Sequence, residues 1–180
     1  MAIPFNVNPI ADPMAVQAAI NQQGHVWFIA GPLGGNFDSS RTIPEGTAIL
    51  VPLLNYINDY PCPSPPPFEP APGQTLEDFL RDGAEGIIDL VTVHDAELDG
   101  ASLNIDRVAS SLFPFTAAGN LVAFDPCVTG SPQLAASDGY WVFLKPLSRG
   151  DQHLHTHTEL HAFGLVTDST THITIVKDKP

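Results

Sequence analysis

Turn-forming residues recur along this chain, and the runs between them predict short regular elements. Eighteen prolines and fourteen glycines are spread over 180 residues. Proline fixes φ and removes a backbone donor, while glycine permits the sharp turns that other residues resist. The spaces between them hold short β-prone runs: residues 25–30 (HVWFIA), 47–54 (TAILVPLL), 121–124, 140–145, 152–161 and 170–177. The run at 47–54 is almost continuously apolar, as in a strand buried on both faces. Several short strands parted by Gly, Pro and Asp predict a mainly β chain, namely an antiparallel β-sandwich, jelly-roll-like, with one or two short helices.

Local signals refine that expectation. Asp12 and Pro13 before MAVQAAINQQG suit the start of a helix that Gly24 closes. Thr75 and Asp78 approximate a capping box for a second helix to about Asp89, weakened by Gly83 and Gly86. From Val91 the apolar period falls to two, and Asp99-Gly100 predicts a hairpin with a tight turn. Asp138-Gly139 reads as a turn that opens an aromatic strand. Residues 61–73 (PCPSPPPFEPAPG) cannot form regular structure and read as a rigid loop within one domain over 1–180. Cys62 and Cys127 both lie in proline-containing loop sequence, where a disulfide or two free thiols both fit.

Charge excludes some functions. Twenty Asp and Glu face seven Lys and Arg, for a formal net charge of −13. Nucleic acid and anionic membrane are therefore not expected partners, whereas a metal ion or a small molecule is, and a homo-oligomer is compatible. No run of about 18 apolar residues appears, and the first residues lack the basic and apolar regions of a signal peptide. No Gly-x-Ser-x-Gly elbow or phosphate-cradling glycine pattern is present. His94, Asp95, Glu97 and Asp99 sit beside the predicted hairpin and read as solvated.

The segment QHLHTHTELH, from Gln152 to His161, carries the strongest chemical signal. In a strand, alternate side chains share a face about 6.6–6.8 Å apart. His153, His155, His157, Glu159 and His161 would then line one face, with Leu154, Thr156, Thr158 and Leu160 on the other. Imidazole suits a divalent transition metal such as zinc, copper, nickel or iron, and a three-ligand site with an open position can activate water. The expected ligands are His155 and His157, with His153, Glu159 or His161 as third. His172 would enter from the next strand if it faces Glu159. A metal-binding protein, extending to a metal-dependent enzyme on a small molecule, is one expectation. A non-catalytic extracellular binding or assembly module with a solvent- or partner-facing histidine strand is the other. The His-x-His-x-Glu order resembles the first cupin motif, but only Thr158 separates His157 from Glu159 and no second motif follows.

Two stretches resemble a widespread group of uncharacterised, mostly exported bacterial β-rich proteins. The first is His25–Gly31 (HVWFIAG) with Gly34-Gly35, Arg41, Ile43–Gly46 and the run ending Pro52–Asn55. The second is Asp138–Leu144 (DGYWVFL) with Pro146-Leu147 and Gly150. Members of that group carry a histidine in the strand after the Pro-Leu turn, which aligns with His155. The resemblance implies a β-rich fold and an extracellular or periplasmic location; a cytoplasmic one stays open, and no activity comes with it.

Overall fold

The computed structural model describes residues 16–20, 22–31, 34–63, 68–123 and 125–177. These residues are mainly β, with strands β1 (Val26–Phe28), β2 (Gly35–Pro44), β3 (Ala48–Tyr60), β4 (Val93–Leu98), β5 (Ala101–Ser102), β6 (Asp106–Arg107), β7 (Phe113–Phe115), β8 (Gln133–Leu144), β9 (Gly150–Leu160) and β10 (Leu165–Val176). One α-helix, α1 (Leu76–Ile88), interrupts them, with short 3-10 helices at Gly119–Ala123 and His161–Phe163. One sheet runs β1-β3-β8-β6 with β7 also on β8; the other runs β2-β10-β9-β4-β5.

Both sheets are mixed. β1 pairs with β3 in parallel, and β2 pairs with β10 in parallel along its whole length, whereas β10-β9, β9-β4 and β4-β5 are antiparallel. The all-antiparallel arrangement expected from sequence therefore does not hold. The reason lies in β2, whose sequence GNFDSSRTIP has no clean apolar alternation and no local sign of its partner. That partner, β10, lies more than a hundred residues further on.

Other local expectations are corrected too. Leu121–Ala123 belongs to a 3-10 helix, because Leu121 N–H turns back to Ala118 C=O and Asp125 N–H to Leu121 C=O. Asp138 and Gly139 lie inside β8 instead of in a turn, and Asp138 is buried. The first predicted helix lies mostly outside the described residues; its residues 16–20 form a turn. The hairpin after β4 is as expected: Asp99 and Gly100 both have positive φ, 51° and 79°, the conformation a two-residue primed turn demands.

By contact the described chain forms two compact units, residues 55–89 with 108–139 and residues 16–54 with 90–107 and 140–177. In the second unit, inward residues of both sheets form one core: Trp27, Ile49 and Val51 from the first sheet's β1 and β3, Val142 and Leu144 from β8, and Ile43, Ala96, Leu154, Ile173 and Ile175 from the other sheet. Ile43, Ile49 and Ile173 are fully buried, each worth roughly 1.5–3 kcal/mol relative to exposure. The inner face of β9 and β10 then turns polar. The register sets Thr158 against Thr167 and Thr156 against Ser169, and all four are buried. Paired hydroxyl residues, three of them β-branched threonines, suit a pleated surface, which explains why a strand so rich in Thr and His still has a defined inside.

In the first unit, Thr75 caps α1: its hydroxyl accepts from Asp78 N–H at 3.1 Å and donates to Asp78 Oδ2 at 2.7 Å. Leu80, Ala84 and Ile88 form the buried stripe of the helix. Cys62 and Cys127 form a disulfide across a sequence separation of 65. Closing a loop of that length stabilises by about 4 kcal/mol through the unfolded state. Buried Asn58 donates to Leu80 C=O at 3.2 Å beside Gly83. A Cβ at Gly83 would overlap the Asn58 amide, with Cγ only 3.1 Å away. Gly83→Ala should therefore destabilise by about 1–2 kcal/mol in denaturant unfolding. Displacing a buried hydrogen-bonded amide outweighs the ~1 kcal/mol gained in helix propensity. An unchanged or more stable variant would refute this packing.

Asp59 is also buried there, accepting from Gln133 Nε2 at 3.0 Å. Burial, then repulsion from Asp125, push its pKa up from 3.8 to about 6 against that hydrogen bond. A raised carboxyl pKa favours folding below the unfolded value, and that contribution is lost as pH rises through about 6. At pH 7.5 the ionised group should cost on the order of 2 kcal/mol. Asp59→Asn keeps the shape and the acceptor. It should raise the denaturant midpoint at pH 7.5 and lose that advantage at pH 4; equal gains at both would discount the titration.

Candidate functional site

The outer face of the second sheet is built by register. β9 lies between β10 and β4, and its odd-numbered residues point away from the core while Leu154, Thr156, Thr158 and Leu160 are buried. His153, His155, His157 and Glu159 therefore share the outer face, as the sequence predicts. His161 does not belong to the strand: it opens the 3-10 turn after it. The expected facing of Glu159 and His172 is also corrected. The β9–β10 hairpin sets Glu159 opposite Val166, and His172 opposite His153.

The residue that sequence reasoning missed is Asp168, which β10 places opposite His157. One oxygen, Oδ1, meets His155 Nε2 at 3.2 Å, and the other, Oδ2, meets His157 Nδ1 at 3.1 Å. His157 Nε2 contacts Glu159 Oε1 at 2.9 Å, and His161 Nε2 contacts Glu159 Oε2. The result is a continuous chain of alternating imidazole and carboxylate: His155, Asp168, His157, Glu159, His161. The β10 run DSTTH shows one carboxylate on the same alternating face as His172. Only the hairpin register says that it lies against His157.

Carboxylates accept and do not donate, so His157 satisfies both of its neighbours only by donating from both ring nitrogens, which makes it an imidazolium. The Glu159 hydrogen bond raises the His157 pKa most, with burial opposing and Asp168 assisting. The same bond from His157 leads the lowering of Glu159. For Asp168, burial raises the pKa, but the hydrogen bonds from His155 and His157 outweigh it and the net shift is downward. On β4, Asp95 stands opposite His157 and Glu97 opposite His155. Thus β9 carries the imidazoles, flanked on both sides by strands that carry carboxylates.

Asp95, Glu97, His155 and His157 also line a cleft of about 330 Å³, together with the apolar Leu103 and Ile105. His94, which shares the β4 segment, points the other way and stacks on Tyr140 with ring centroids 4.1 Å apart. Asp99 serves the backbone, its Oδ1 accepting from His153 N–H at 2.8 Å. Among the described residues, no three His, Cys, Asp or Glu side chains already converge on one point as a metal shell. His155 Nε2, both nitrogens of His157 and His161 Nε2 instead each meet a carboxylate oxygen. Comparison with known proteins finds no matching family model, curated protein or solved structure.

The raised His157 pKa favours folding below an ordinary imidazole pKa, and this contribution fades as pH rises through the shifted value. The lowered Glu159 and Asp168 values favour folding above ordinary carboxyl pKa values, and theirs fades as pH falls. The chain should therefore stabilise most between about pH 4.5 and 6.5. NMR titration of the metal-free protein should give His157 a pKa above that of a free imidazole, and Glu159→Gln should lower it. If Glu159→Gln leaves that titration in place, the hydrogen bond is not its cause.

Proposed function

We propose that this chain is a divalent transition-metal-binding β-sandwich protein whose ligands are His155, His157 and Asp168. The observation that carries the reading is the meeting of one carboxylate with Nε2 of one imidazole and Nδ1 of the other, at 3.2 and 3.1 Å. Two donors held about 2.0–2.1 Å from a shared ion at tetrahedral or octahedral angles lie roughly 2.9–3.4 Å apart. The donor pairs thus already have the separation an ion would impose, with protons in its place. Glu159 is the orienting residue in this reading. By accepting from His157 Nε2–H it leaves Nδ1 as the metal-facing nitrogen, the carboxylate–histidine–metal arrangement that raises ligand basicity.

Two imidazoles and a carboxylate suit zinc, iron, nickel or copper and leave coordination positions open. The neighbouring cleft supports a small-molecule reaction at those positions, where a bound ion would supply Lewis acidity and a water of lowered pKa. Asp95 and Glu97 in that cleft are then the groups that take up the proton. The acidic surroundings favour a neutral or cationic ligand over an anionic one. The disulfide between Cys62 and Cys127 supports an oxidising, extracellular or periplasmic setting, as does the resemblance of residues 25–31 and 138–144 to exported proteins.

Untagged protein loaded with zinc and dialysed should retain stoichiometric metal at His155, His157 and Asp168. Each of His155→Ala, His157→Ala and Asp168→Ala should weaken that binding at least tenfold. Zinc at about a hundred times its dissociation constant should stabilise the wild type by about 2.7 kcal/mol. Protein that retains no zinc, copper, nickel or iron, and gains no thermal stability from any of them, would end this reading.

A further inference from the structure

The same face carries a second group of histidines with its own carboxylate. His153 on β9 and His172 on β10 are directly opposed partners. Their ring centroids are 4.8 Å apart, with the rings edge to face at 85°. On the far side of His172, its Nε2 meets Asp38 Oδ1 at 3.0 Å. Asp38 comes from β2, which pairs in parallel with β10 and sets Asp38 beside Thr170, the outer-face neighbour two residues before His172. The β9–β10 hairpin and the sequence-distant β2 therefore bring one carboxylate and two imidazoles into a row.

The contact with Asp38 decides the chemistry of His172. A carboxylate only accepts, so Nε2 must carry the proton, and neutral His172 presents its lone pair at Nδ1. This is the relation that Glu159 bears to His157 in the first site: a carboxylate behind an imidazole fixes the tautomer and orients the ring. His153 is exposed and its backbone is anchored, with N–H bonded to Asp99 Oδ1 and C=O to Asp99 N–H. Rotation of its ring alone brings a nitrogen towards His172, since opposed residues on paired strands have Cβ atoms only about 4.5–5.5 Å apart.

We propose that His153 and His172 form a second divalent-metal site, with Asp38 as the positioning residue and copper, nickel or zinc as the ion class. Two imidazoles with water in the remaining positions select these ions over magnesium or calcium, which require oxygen donors. None of these residues belongs to the His155–His157–Asp168 group, so the two sites stand or fall separately. His153 and His155 lie about 6.6–6.8 Å apart along β9, which makes the face a two-ion surface. With two protein ligands against three, the second site should be the weaker.

Metal-free, untagged full-length protein titrated with Cu²⁺ alone, by calorimetry and by equilibrium dialysis, should bind two ions per chain. His172→Ala and His153→Ala should each leave one, the tighter. His155→Ala/His157→Ala should also leave one, the weaker. Asp38→Asn should weaken that weaker site about tenfold and spare the tighter. In the wild-type protein, diamagnetic Zn²⁺ added beyond the first equivalent should shift the His153 and His172 ring signals in NMR, a readout independent of how any variant folds. A single ion lost only with His155 and His157, with His153 and His172 signals untouched, would overturn this inference and leave the first site standing. A single ion lost only with His153 and His172 would uphold this inference and overturn the first. Two ions that survive removal of His153 and His172 would overturn it as well.

Discussion

The arrangement of this protein's polar face depends on the register of β9 against β10. Eleven consecutive partner pairs, from Leu165–Leu160 to Ile175–Gly150, hold the hairpin in one alignment. Leu154 and Ile173, buried in the core, hold the inside of that alignment. A slip of β9 by one residue would expose Leu154 and bury its histidines, so the apolar residues set the register and the histidines inherit their positions from it. Asp168 meets His157, and His172 meets His153, because hydrophobic contacts on the opposite face of the same strands require it.

Electrostatics explains why so many imidazoles can be held side by side. Adjacent histidines would repel once protonated, yet here four of them have a carboxylate near by: Asp168 between His155 and His157, Glu159 between His157 and His161, and Asp38 against His172. A carboxylate can hold a proton between itself and a ring nitrogen, or share an ion with it, and the separations demanded by the two are similar. The surplus of acid residues in the whole chain acts in the same direction, since it favours cations at every exposed face.

The unit that contains α1 is stabilised differently. There the chain relies on a covalent link between Cys62 and Cys127, on a helix capped by its own Thr75, and on buried polar contacts from Asn58 and Gln133. Gln133 donates to Asp59, to Pro61 C=O and to Cys127 C=O. It ties the strand end at Asp59 to both halves of the disulfide loop. A stapled loop region of this kind tolerates proline-rich sequence that contributes little to a core.

Much of the local structure was legible in the residues themselves. The capping pair Thr75 and Asp78 marked α1, Asp99-Gly100 marked the hairpin, and the alternation from His153 to Glu159 marked one face of a strand. Each of these signals is local, because caps, primed turns and side-chain alternation are set by neighbours in the chain. The sequence by itself therefore determined that imidazoles would stand in a row on one side of a strand. It did not determine what stands against them. β2 has no apolar period to announce it, and β2 and β1 pair in parallel with strands that local sequence cannot identify. Asp168 and Asp38 are ordinary carboxylates until hydrogen bonding between distant strands sets them beside particular rings. Only the tertiary structure decided which histidine received which carboxylate, because register between strands is settled by burial of the opposite face and leaves no mark on the residues that benefit.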